Sequence, residues 1–167
     1  MLDHSNIGHV MHGEAVRLLD AGEDTGAVAL LGEAIAHFRL ALAAKNREDA
    51  PTEWGLRQTN LGSALLELGK QSNSVEILYE AEQAIRLALE ELSPEGDQHN
   101  VAACHYNLGE VFRYRGEQDR DREILEKSIE AFTRALSAFE ATGNRALAEQ
   151  AERNRGTVQA LLETYIG

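Results

Sequence analysis

Six histidines, one cysteine and a surplus of carboxylates are the side chains in this sequence that could do chemistry. His9 and His12 stand three apart with His4 just before them, a spacing at which one helix face can offer two imidazoles to a metal ion. Such a site also needs a placed carboxylate or cysteine, and none accompanies them, so the pair reads as surface or groove residues. His99, Cys104 and His105 raise the prospect of a thiolate–imidazole pair. Its two members would have to face each other, and adjacent residues on a helix point about 100° apart. Carboxylates come in runs, as at Glu90-Glu91 and at Glu80 and Glu82, the composition of a solvated helix face. There is no glycine-rich phosphate loop, no Gly-x-Ser-x-Gly elbow and no His-Glu-x-x-His. The expectation is a protein without catalytic residues, cofactor or metal, and therefore not an enzyme.

The charge balance narrows the partners. Sixteen basic against 28 acidic side chains give a formal charge of −12, a field that repels phosphate backbones and anionic lipid surfaces. Neither nucleic acid nor a membrane is expected as a partner. Cys104 is the only cysteine, so no internal disulfide is possible. The N-terminal residues carry neither the basic start nor the apolar run of a secretory signal, and a cytoplasmic location is expected.

The elements that would hold these side chains announce themselves by repetition. Asn60-Leu61-Gly62 recurs at Asn107-Leu108-Gly109, and residues 55–94 align without a gap on 102–141 with 11 identities, a shift of 47. Stepping 47 back from Gly69, Leu78, Ala81, Ala88 and Leu89 meets Gly22, Leu31, Ala34, Ala41 and Leu42; stepping forward from Asn107 and Gly109 meets Asn154 and Gly156. Within each unit the apolar residues keep the three-and-four spacing of a helix, as in Leu61, Leu65 and Leu68, then Leu78, Ala81, Ile85, Ala88 and Leu92. Two amphipathic helices per repeat follow, with no strand. Gly22, Gly69 and Gly116 are expected to end the first helix of each pair in the left-handed conformation. The helices are placed at 6–21, 25–45, 52–68, 74–92, 98–115, 120–141 and 145–165. A single array over 1–167 results: repeats at about 6–47, 52–94 and 98–141, and a closing helix at about 145–165.

These residues resemble the tetratricopeptide-repeat family, whose pattern sets Leu-Gly and a large residue on the first helix and Ala-x3-Phe with a further Ala on the second. Leu61-Gly62 with Leu65 and Leu108-Gly109 with Phe112 match the first half. Ala34-x3-Phe38-x2-Ala41, Ala81-x3-Ile85-x2-Ala88 and Ser128-x3-Phe132-x2-Ala135 match the second. The period of 47 is longer than the common 34 and is similar to the extended branch that includes kinesin light chains. Ala15 takes the Gly place in the first helix and Arg155 the Leu place in the last, while Gln58 and His105 stand where an aromatic is usual. The resemblance implies an all-α solenoid of about seven helices, stacked hairpins in a right-handed superhelix.

It also implies a function. In that family the first helices line a concave groove, and the residue before Leu-Gly points into it. Asn60, Asn107 and Asn154 hold that place here, each able to donate to and accept from the backbone of an extended peptide. Thr59, Ser63, Tyr106, Glu110 and Arg153, one residue before or three after, share the face, and Arg113 stands one turn beyond Glu110. The alternative for the asparagines is that they bridge adjacent helices. The expected role is an adaptor or scaffold that binds another protein or peptide; the second expectation is a self-associating, homo-oligomeric module of a larger assembly. The chaperone-tail carboxylate clamp is not expected, because Thr59, Ser63 and Ala103 occupy its places.

Overall fold

Helix starts in this chain are written by short polar side chains. Asp3 accepts from the backbone N–H groups of Ser5 and Asn6 at 3.1 and 3.4 Å, Asp121 from Ile124 at 3.2 Å and Asn144 from Leu147 at 3.3 Å; each satisfies a donor that the first helical turn leaves unpaired. Pro51 supplies the fixed φ of a first helical position. In the computed structural model, which describes residues 3–165, seven helices follow. They are α1 (His4–Asp20), α2 (Asp24–Ala43), α3 (Pro51–Ser72), α4 (Val75–Glu91), α5 (Gln98–Asp119), α6 (Arg122–Ala141) and α7 (Arg145–Thr164). The described residues contain no strand, and the protein is all-α.

The chain divides into two compact units, residues 1–91 and 92–167. In the first, α1 pairs with α2 and α3 with α4, while α3 also packs on α2 and touches α1. In the second, α5 pairs with α6, and α6 packs on α7.

What holds each hairpin is a bulky knob seated on a glycine. A Cβ on Gly62 would lie 2.5 Å from Ile85 Cγ1, one on Gly109 2.6 Å from Phe132 Cδ1, and one on Gly8 2.7 Å from Phe38 Cε1. Missing side chains at these points let the paired backbones approach until the knob is sealed; Phe38, Ile85 and Phe132 are all fully buried. Sealing each contributes about 1.5–3 kcal/mol of transfer free energy. In the second unit, Phe132 and Leu125 are closed over by Val158 and Leu162 of α7. Ala102, Ala135 and Phe139 are likewise joined by Ala148 and Ala151.

Two sequence expectations are corrected. Gly22 does end its helix with φ +77°, but Gly69 and Gly116 do not. They lie inside α3 and α5, where their missing side chains admit Leu78 and Leu125 at 2.8 and 2.7 Å. The left-handed residues are Asn73 and Arg120, both at φ 51°, and the N–H groups of Ser74 and Asp121 close the turns onto the carbonyls of Gly69 and Gly116 at 3.0 Å. Helices α3 and α5 therefore run four residues past the expected 68 and 115. The second correction is the register of α1. Phe38 rests on Gly8, not at Ala15, so the unit that repeats is Asn6-Ile7-Gly8, with Ala15 matching Gly69 and Gly116 one heptad on. Thirty residues separate Gly8 from Phe38 but twenty-three separate each later glycine from its knob, so the first hairpin is one heptad longer and a fixed step of 47 misses it.

Candidate interaction surface

The asparagines of the first helices are tied to their neighbours. In the second unit Asn154 of α7 donates through Nδ2 to the Tyr106 hydroxyl at 2.8 Å and to Glu110 Oε1 at 3.0 Å, both on α5. In the first unit Asn60 Nδ2 of α3 lies 2.9 Å from His9 Nε2 on α1. The two contacts are the same contact. His9 follows Asn6 by three residues and Glu110 follows Asn107 by three, so each time the asparagine of one first helix bonds the residue one turn beyond the asparagine of the first helix before it. Seen only as spacing, His9 belonged to a metal search; the signal that relates it to Asn60 is the Asn6-Ile7-Gly8 triplet.

Around Asn154 the second unit builds a polar network. Glu110 is buried and takes Arg113 on both oxygens, at 3.3 and 3.1 Å, while Arg113 also reaches Glu117 at 3.2 Å and lies 4.3 Å over the Tyr114 ring. Burial works against the Arg113 charge, but the Glu110 carboxylate outweighs it and holds the guanidinium above its ordinary range. Burial, reinforced by the Glu110 charge, pushes the Tyr106 hydroxyl up to about 12, against the opposing bonds from Asn154 and Gln150. That ring also meets Phe132 edge-on at 5.5 Å, which ties the network to the knob of the hairpin.

The other expected residues are less engaged. Asn107 is half-buried on α5 and makes no side-chain hydrogen bond within its unit; Arg153 is exposed on α7. Thr59 is buried and donates to the Gly55 carbonyl at 3.1 Å, and Ser63 is half-buried. Tyr106, Glu110, Arg113 and Asn154 thus come together within the second unit, and Thr59, Asn60 and Ser63 share α3 in the first.

Four of the six histidines gather in two pairs around α1 and α2. His4 and His37 face each other Nδ1 to Nδ1 at 2.8 Å between α1 and α2. His9 and His12 set their edges to the Phe38 ring at 5.5 and 6.5 Å. His12 Nε2 is buried without a hydrogen-bond partner, and burial followed by the His9 charge lowers its pKa. Among the described residues no group of three or more His, Cys, Asp or Glu is arranged to hold a metal ion.

Fold and site define an all-α protein of helix hairpins in which, within each unit, two first helices are stitched by asparagine: α1 to α3 and α5 to α7. No protein-family model, curated protein or solved structure matches the chain.

Proposed function

We propose that the protein is an interaction module of the tetratricopeptide-repeat kind, receiving an extended peptide along the first-helix face of its second unit. The observation that carries this reading is which positions repeat and which do not. Knob and glycine places recur from hairpin to hairpin, whereas the residue three past the asparagine is His9, Ser63, Glu110 and Thr157 in turn, and the residue six past it is His12, Leu66, Arg113 and Ala160. Packing is served by the first set; variation on a single face of an otherwise repeated frame is what a specificity-bearing surface looks like. The buried Glu110–Arg113 pair points the same way, since α3 packs with Ser63 and Leu66 in those places and needs no ion pair.

In this reading the Tyr106, Glu110, Arg113 and Asn154 network is a rigid floor. Asn107 supplies an amide that can donate to and accept from a peptide backbone. Exposed Arg153 supplies a cation for an acidic side chain or a C-terminal carboxylate. No catalysis and no cofactor enter.

The test is a random peptide library displayed on phage, selected against the whole chain, with the winning peptides measured by calorimetry. Replacing Asn107 by Ala is expected to weaken the selected peptides about tenfold, as loss of roughly one to two backbone hydrogen bonds implies. Arg153→Glu should do the same for acidic peptides, with far-UV dichroism unchanged in both. Selected peptides indifferent to both changes overturn the reading.

A further inference from the structure

The histidines of the first unit meet where α1 lies against α2 and α3, and their contacts limit how many protons they can carry. His4 of α1 and His37 of α2, both half-buried, face each other Nδ1 to Nδ1 at 2.8 Å, with 29° between the ring planes. One proton can lie between two such nitrogens, whether the pair is neutral or carries one charge. With both imidazoles charged, N–H points at N–H and the contact cannot form. His12 sets a second limit. Its Nε2 is buried without an acceptor, so a charged His12 would bury an N–H that nothing receives, and burial, followed by the charge of His9, lowers its pKa. His9 differs. Its Nε2 lies 2.9 Å from the Asn60 amide, which can turn to donate or to accept, so His9 keeps that bond when charged and sets its charge beside His12.

We propose that α1 is an acid-released latch: protonation of His12 and of both His4 and His37 frees it from α2 and α3 and uncovers the Phe38 ring. That ring is seated on Gly8 and edged by His9 and His12, so all of its α1 contacts leave together. A free carboxylate beside either site would welcome the charge, and the nearby ones are engaged or distant. On α1, Asp3 is taken by Ser5 and Asn6 and Glu14 by Arg17. On α2, Arg39 turns to Glu80, and exposed Glu33, one turn before His37, favours a charge there only weakly. On α3, Glu53 is held by Lys45 and Arg57, and Glu67 by Lys70. Asp20, Glu23 and Asp24 stand at the turn of the hairpin, about two helical turns past His12.

Release admits two protons that the docked helix refuses, and each shifts the equilibrium about tenfold per pH unit below the ordinary histidine value of about 6.5. The inference is independent of the peptide-binding reading, which rests on the second unit. Amide exchange of the whole chain followed by mass spectrometry, corrected for the intrinsic rate at each pH, reads the release directly. Residues 4–20 should lose protection by nearly a hundredfold, about tenfold for each proton, between pH 6 and pH 5, while α4 and the second unit keep theirs. His12→Leu and His37→Gln should each reduce the loss to about tenfold, and the two together should abolish it. His4→Gln removes the same proton as His37→Gln and should act as it does. Unchanged far-UV dichroism at pH 7.5 confirms that each variant is folded. Protection of residues 4–20 that ignores pH, a loss shared equally by α4, or variants that keep the full response would each overturn the proposal. So would protection at pH 7.5 that EDTA removes, since His4 and His37 would then hold a metal ion in place of a shared proton.

Discussion

Gly109 and Gly156 occupy the same place in the repeat, 47 residues apart and each two past an asparagine, yet alanine should act on them in opposite directions. On α5 a Cβ at 109 would stand 2.6, 2.7 and 2.8 Å from Cδ1, Cε1 and Cγ of Phe132. That ring is fully buried and edge-on to Tyr106, and the clash reaches its root at Cγ, so it cannot simply swing aside. With the clash at the root of the ring, overpacking costs about 2–3 kcal/mol, the upper end of its range, from which the gain in helix propensity returns about 1 kcal/mol, leaving Gly109→Ala less stable by roughly 1–2 kcal/mol. On α7 a Cβ at 156 meets nothing within 4 Å, so Gly156→Ala keeps the propensity gain whole and is more stable by up to about 1 kcal/mol. Both residues lie in the second unit, and urea unfolding followed by far-UV dichroism compares them directly. A second arm isolates the cause. In a Phe132→Leu background the alanine at 109 should cost less by about 1 kcal/mol, the coupling expected of side chains in contact. Equal stability of Gly109→Ala and wild type, or a loss at Gly156 as large as at Gly109, would refute the knob-on-glycine account of the hairpins.

Three further outcomes follow from the same contacts. Asn154→Ala removes the amide from Tyr106 and from buried Glu110 and should cost about 1–2 kcal/mol in urea unfolding, more than Asn60→Ala, whose partner His9 is exposed. Absorbance titration should show Tyr106 ionising near 12, and Tyr106→Phe should remove that step. Burial, with the charge of His9 second, lowers the pKa of His12, so the unfolded chain takes up its proton near 6.5 before the folded chain does. Stability from this residue is complete above that value and is lost as pH falls below it; urea midpoints at pH 7.5 and 5.5 should lie closer together in His12→Leu than in wild type, with half-buried His105, whose pKa burial also lowers, keeping part of the difference.

Helix type and number could be read from the sequence because they depend on local spacing: apolar residues three and four apart act within a turn or two. The period of 47 was legible for the same reason in α3 to α6, where two hairpins of equal length keep Gly62 and Gly109 in step with Ile85 and Phe132. It failed in α1, because a hairpin longer by one heptad displaces Gly8 without disturbing any local pattern. It also misassigned Gly69 and Gly116, since a glycine that ends a helix and one that admits a neighbouring leucine are the same letter. Only tertiary structure decided between those roles, because what distinguishes them is the side chain on the facing helix. The asparagines teach the same lesson: the sequence put Asn60, Asn107 and Asn154 at one place in the repeat, but His9, Tyr106 and Glu110 became partners only when neighbouring first helices came within hydrogen-bond reach, a distance that no spacing along the chain encodes.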